Sequence, residues 1–168
     1  MSVGRICVRE VDTARPEESV AVAAERMHQR GVGTLVVVNN AGQVVGIVTD
    51  RDLVSRVLAK GLNPRDSSVR EAMTVGPRTV LEQTPIESAL LIMRSGRFRR
   101  VPVTDRNSKL VGLITLDDIL MLLAEEFSQI GRLLKRETPR AIIENSLAPG
   151  ATECKRTPPP LNEFTNVS

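Results

Sequence analysis

The chain reads as an α+β protein built from two β-α-β-β-α repeats packed about a pseudo-two-fold axis. Three observations predict this. The sequence repeats itself, an amphipathic helix recurs at the same place in each half, and a hairpin signal follows each of those helices.

The repeat is gapless. Residues 3–59 align with 69–125 at a constant offset of 66. Val3 meets Val69, Thr13 meets Thr79, Ala23 meets Ala89 and Met27 meets Met93. Val37 meets Val103, Gly46 meets Gly112, Thr49 meets Thr115 and Asp52 meets Asp118. A unit of about 60 residues buries a marginal share of its surface by itself. Two copies on one chain are therefore expected to pack together, with a ligand-sized cleft between them. The organisation this predicts is a first repeat over 1–60, a linker over 61–68, a second repeat over 69–130, and a helix end with a flexible tail over 131–168.

Each element has its own signal. A short extended stretch is expected around Thr13 and around Thr79-Val80. Val20, Ala23, Ala24 and Met27 fall at helical spacing, as do Ile86, Ala89, Leu90 and Met93. Gly31 and Gly96 stand as stop signals. Leu35–Val38 and Val44–Val48 flank the polar turn Asn39-Asn40-Ala41-Gly42. Val101–Val103 and Leu110–Ile114 flank Asp105-Arg106-Asn107-Ser108 in the same way. A closing helix begins at Thr49 or Thr115, and the last one is expected to run through Phe127, Ile130, Leu133 and Leu134. Leu91, Ile92, Leu116, Leu120, Met121 and Leu122 widen the apolar faces beyond a single stripe, which predicts a homodimer interface.

Composition narrows the function. Aromatic residues make up 2% of the chain, with no Trp or Tyr, so base stacking on exposed rings is disfavoured. The net charge of +3 is small, and its basic excess falls within residues 1–136; it suits an anionic ligand. Cys7 and Cys154 are far apart and no Cys/His cluster occurs, so a metal site is not expected. Two lone cysteines without a signal peptide suit a reducing cytoplasm. No apolar run reaches membrane-spanning length. The sequon at Asn166 is taken as chance.

The chemistry-bearing motif is Gly-x-x-Thr-x-x-Asp, at Gly46–Asp52 and Gly112–Asp118, where a strand gives way to a helix. One reading is structural, since Thr followed three residues later by an acid resembles a capping box. The other is ligand binding. A helix N-terminus suits phosphate, a Thr hydroxyl can donate to it, and an Asp carboxylate accepts from a ribose diol. The glycine would let a ligand approach the strand.

Thr13/Thr79, the apolar helix, the strand Phe98-Arg99-Arg100-Val101-Pro102-Val103 and the repeated motif together resemble the cystathionine-β-synthase (CBS) domain family, in the tandem arrangement called a Bateman module. The resemblance covers about residues 3–130. It implies a dimer that binds AMP, ADP, ATP, S-adenosylmethionine or a related nucleotide in the clefts between repeats. By resemblance, Asp52 and Asp118 would hold ribose hydroxyls, and Thr49 and Thr115 would sit near ribose or phosphate. The backbone of Thr13-Ala14 and Thr79-Val80 would read the adenine edge. Leu35-Val36 and Val101-Pro102 would line the base pocket. The second half keeps the family proline, Pro102, so the Thr115–Asp118 cleft is the favoured site.

Arg94, Arg97, Arg99 and Arg100 form a basic cluster in which Arg99 and Arg100 are best placed to neutralise phosphate. His28, the single histidine, is expected at the surface. No nucleophile–base pair or metal-ligand cluster is visible, so no enzyme and no cofactor are expected. The function expected is a stand-alone regulatory module, with an adenine nucleotide as ligand and a protein as target. The alternatives are a dimerisation adaptor with vestigial pockets and a weak nucleic-acid binder.

Overall fold

The computed structural model describes residues 1–96 and 98–137. Arg97, the expected flexible tail, Cys154 and the Asn166 sequon lie outside the described residues.

In chain order the elements are β1 (Thr13–Ala14), α1 (Val20–Arg30), β2 (Thr34–Val38), β3 (Val44–Thr49), α2 (Asp50–Arg56), α3 (Val69–Ala72) and β4 (Thr74–Val75). They continue as β5 (Val80–Leu81), α4 (Ile86–Gly96), β6 (Arg100–Thr104), β7 (Leu110–Thr115) and α5 (Leu116–Glu137). Residues Met1–Ser128 form one compact unit and a second begins at Gln129.

Local chemistry explains the elements. Ser19 caps α1 by accepting from the Val22 amide at 3.4 Å. Val20, Ala23 and Met27 of α1 are buried, and the helix ends at Gly31 with φ 65°, a left-handed conformation that glycine adopts without strain. All five residues of β2 are buried, as its run of β-branched residues suits. In β3 burial instead follows the period of two, with Gly46 and Val48 inward. Helix α4 repeats the α1 pattern with Ile86, Ala89 and Met93 buried.

The first sheet has the order β1-β2-β3-β4 and the second β5-β6-β7. In each, the short first strand runs parallel to its neighbour and a hairpin completes the sheet. The register shift also recurs, at Val37/Val38 and at Val103/Thr104. The offset of 66 therefore holds down to the irregularities.

Each repeat lends its opening segment to the other. Val69, Ala72 and Met73 lie in the first core, beside Val20, Leu35 and Val48. Val3 lies in the second core, with Ile6 and Cys7 packed against it. Backbone bonds fix the exchange symmetrically. The Val69 amide donates to the Glu18 carbonyl at 2.9 Å, and the Val3 amide donates to the Thr84 carbonyl at 2.9 Å. Strand β4 pairs with β3 through Thr74 and Ile47, and Val8 pairs with Leu113 of β7 in the equivalent way. Around the pseudo-two-fold axis Gln43 faces Lys109, with the Val44 amide on the Ser108 carbonyl and the Leu110 amide on the Gly42 carbonyl, both at 3.1 Å. Sequence periodicity could not show α3 or β4, which have only four and two residues.

The wide apolar faces divide. Ile92, Leu116 and Leu122 pack against the second core. Leu91, Leu120 and Met121 are exposed, as are Leu123 and Phe127. In residues 129–137, Ile130 and Leu133 are exposed. Among the described residues, no helix is long and apolar enough to cross a membrane.

The exchanged segments need the glycines of the motif. A Cβ on Gly112 would lie 2.7 Å from the Val8 carbonyl oxygen and 2.9 Å from Cys7 Sγ, and one on Gly46 would strike Met73. Backbone cannot move aside as a side-chain tip can. Gly112→Ala is therefore expected to destabilise the protein by about 1–3 kcal/mol, the usual cost of overpacking. Urea denaturation checks this, with a lower midpoint and an unchanged slope.

Candidate functional site

The Thr–Asp motif first acts as a cap. Thr49 Oγ1 accepts from the Asp52 amide at 3.2 Å. Asp52 Oδ2 accepts from the Thr49 amide at 3.0 Å and from the Thr49 hydroxyl at 2.7 Å. Thr115 and Asp118 do the same at 3.1, 2.8 and 2.7 Å. Each Thr hydroxyl thus spends its proton on its own Asp, and helix α2 that it opens has only seven residues. The two motif glycines are occupied by the exchanged segments, so they do not open the strands to a ligand.

The outer carboxylate oxygens differ. Asp52 Oδ1 meets Arg56 Nη2 at 3.2 Å. Arg56 also donates to the carbonyls of Ala72 and Met73 at 2.8 and 2.7 Å and to Thr74 Oγ1 at 3.1 Å. One guanidinium therefore ties Asp52 to the exchanged segment. The equivalent position beside Asp118 is Leu122, which packs into the second core.

Two clefts lie between the repeats. The larger, of about 500 Å³, is lined by Thr34, Ile47, Thr49 and Asp52 from the first half. Thr74, Gly76, Pro77, Arg78, Phe98, Arg99, Arg100 and Pro102 complete it. The smaller, of about 260 Å³, includes Val8, Glu10, Val11, Asp12, Val32, Gly33, Thr34, Arg100, Leu113 and Thr115. Each cleft thus sets the motif of one repeat against the pocket strand of the other. Thr34 lines both, and its buried Oγ1 has no hydrogen-bond partner among the described residues. Arg100, its mate at the 66-residue offset, also lines both. Neither Arg78 nor Arg100 has an ion-pair partner among the described residues, whereas Arg99 meets Asp117 at 3.0 Å.

Of the residues expected at the site, Thr49, Asp52, Arg99, Arg100 and Pro102 come together in the larger cleft. Thr115 and Arg100 line the smaller; Asp118 is tied to Thr115 by the cap but is not part of that lining. Pro102, on which the preference for the Thr115–Asp118 cleft rested, faces Thr49 and Asp52 instead, because the repeats cross. Leu35, Val36 and Val101 are fully buried and line neither cleft. Thr79 and Val80 follow Arg78 but line neither. Thr13 and Ala14 border a shallow pocket with Arg26, which donates to the Thr13 carbonyl at 2.6 Å and pairs with Glu18 at 2.7 Å. Arg78, Thr34 and Pro77 escaped the sequence reading, and Phe98 was named there as part of its strand but not as a site residue. Arg78 carried a signal, since it directly precedes Thr79.

Elsewhere, His28 is exposed. Burial pushes the Cys7 thiol up, against the lowering effect of nearby Arg9, so it stays protonated at neutral pH. Among the described residues, no group of three or more His, Cys, Asp or Glu is placed to hold a metal ion.

Comparison with known proteins agrees with this architecture. The family model of the CBS domain matches residues 3–59 and 69–125. The chain is 37% identical over 122 residues to an uncharacterised protein of Methanopyrus kandleri, covering 73% of this chain and 62% of that protein. It is 32% identical over 115 residues to an inosine-5'-monophosphate dehydrogenase of Methanocaldococcus jannaschii, covering 68% of this chain and 22% of the enzyme. Among solved structures, the CBS domain pair of protein MJ0100, in complex with 5'-methylthioadenosine and S-adenosyl-L-methionine, superposes with TM-score 0.68 at 27% identity. That match covers 75% of this chain and 98% of the other. The chain belongs to the CBS-domain family and carries two tandem copies of the domain.

The caps can be tested without any ligand. Thr49→Ala and Thr115→Ala are each expected to cost about 1 kcal/mol, the usual worth of an N-cap side chain. Thermal denaturation of ligand-free protein measures it, and a neutral result at both positions would show that the motif has no capping role.

Proposed function

We propose that this protein is a regulatory module that binds an adenine nucleotide in the larger cleft and passes the bound state to a protein partner in the cytoplasm. One observation carries this reading. An apolar-walled cleft of about 500 Å³ brings a half-buried carboxylate, Asp52, together with Arg78, Arg99 and Arg100. The volume lies within the range of small-molecule sites. Ile47, Pro77, Phe98 and Pro102 suit a flat base, Asp52 suits a ribose diol, and guanidinium groups suit phosphate oxygens. The adenosine compounds bound by the MJ0100 domain pair support the choice of base. The larger cleft is preferred over the smaller because its lining joins a motif carboxylate, Asp52, to three arginines, whereas the smaller is lined by Arg100 without Asp118.

The module acts by binding rather than by catalysis. The dehydrogenase relative is matched over 22% of its length. The exposed Leu91, Leu120, Met121 and Phe127 support a homodimer built on α4 and α5.

A thermal-shift panel of AMP, ADP, ATP, S-adenosylmethionine and 5'-methylthioadenosine tests the reading. A ligand at a hundred times its Kd stabilises the folded state by about 2.7 kcal/mol, so the Tm should rise by several degrees. Asp52→Ala should remove the ligand-induced rise and Asp118→Ala should leave it. No rise with any of these at millimolar concentration would reject the proposal, and a dimer on a sizing column without a ligand response would favour a purely structural role.

A further inference from the structure

The two clefts match position by position but not charge by charge. Ile47, Thr49 and Thr74 in the larger correspond to Leu113, Thr115 and Val8 in the smaller. Where the larger has Gly76, Arg78 and Arg99, the smaller has Glu10, Asp12 and Gly33. The larger lining therefore carries three arginines against Asp52, while the smaller carries Arg100 against Glu10 and Asp12.

Availability reinforces the contrast. Arg78 and Arg100 have no competing carboxylate among the described residues. Arg99 is held by Asp117, but both side chains are about two-thirds exposed, and such a pair yields readily to a better partner. On the other side Asp12 meets Arg30 at 3.4 Å, which tempers its charge, yet Glu10 has no such partner among the described residues. Carboxylates beside a phosphate repel it, and a cleft with low-dielectric walls magnifies the repulsion. The volume difference, about 500 against about 260 Å³, acts in the same direction.

We infer that the clefts are sorted by charge: the larger takes the phosphate groups of a ligand through Arg78, Arg99 and Arg100. The smaller excludes phosphate and admits a neutral or cationic group. The inference deepens the nucleotide reading, on which it rests for the base, but its phosphate part can be tested without any base.

The experiment is a titration of the full chain with inorganic pyrophosphate, followed by backbone amide NMR. Thr49, Gly76, Arg78 and Arg99 should shift, while Glu10, Asp12, Leu113 and Thr115 should not. Arg100 borders both clefts and is left out of the comparison. Arg78→Asp should weaken pyrophosphate at least tenfold. The double variant Glu10→Gly with Asp12→Arg copies two of the three differing positions into the smaller cleft, reversing the charge of its wall, and should bring pyrophosphate shifts to Leu113 and Thr115. Equal shifts around both clefts, shifts around the smaller alone, or none at either would overturn the inference. Pyrophosphate confined to the larger cleft, with no thermal response to nucleotides, would reject the adenine reading and leave the sorting intact. Nucleotide stabilisation with pyrophosphate at both clefts would do the reverse.

Discussion

The reciprocal loan of the opening segments is the constraint on which the rest of this structure depends. Without residues 69–75 the first core loses Val69, Ala72 and Met73, and its sheet loses the edge strand β4. Without residues 3–8 the second core loses Val3 and the packing of Cys7. The clefts follow from the same loan. After pairing with the foreign sheet, each segment turns back toward its own repeat, and the returning residues form one wall: Gly76-Pro77-Arg78 in one cleft, Glu10-Val11-Asp12 in the other. The clefts are thus a by-product of how two undersized cores complete each other.

On this shared backbone the halves diverge through a few long side chains. Arg26 holds β1 to Glu18 in the first repeat, where the second has Ile92 in its core. Arg56 braces Asp52, where the second repeat has Leu122. Arg78 faces one cleft and Asp12 the other. Each replacement trades a charged group for an apolar or opposite one without disturbing a strand or helix. Arg78, exposed on its cleft, can change the charge of that cleft at little cost to the fold, because surface substitutions rarely move stability by more than about 0.5 kcal/mol. The Thr–Asp pairs are different: they are needed in both halves as caps whatever the clefts hold.

Much of this was legible in the sequence. The offset of 66 contained the fold, and hydrophobic spacing located α1, α4 and both hairpins within a residue or two. The exchange was not legible, because a two-residue strand has no periodicity and an offset is silent on which copy a segment packs against. That silence also misdirected the site. Pro102 lies beside Thr115 in the sequence order of the second repeat but across from Thr49 in space. Leu35, Val36 and Val101 were read as pocket wall, yet strands paired on both edges and covered by helices bury such residues completely. Arg78 has no periodicity of its own, and only its place directly before Thr79 marks it.

The loan also has a direction in time. The segment that completes the first repeat, residues 69–75, follows that repeat immediately along the chain. The one that completes the second, residues 3–8, is made first and must wait for Thr84 and Leu113 to be synthesised. A ribosome therefore releases a first repeat able to close as soon as α3 emerges, and a second that must reach back across the whole domain pair. Contacts of such long sequence separation form slowly. Residues 3–8 precede their partners along the chain, so the growing chain must keep Val3 from other partners until Thr84 and Leu113 emerge.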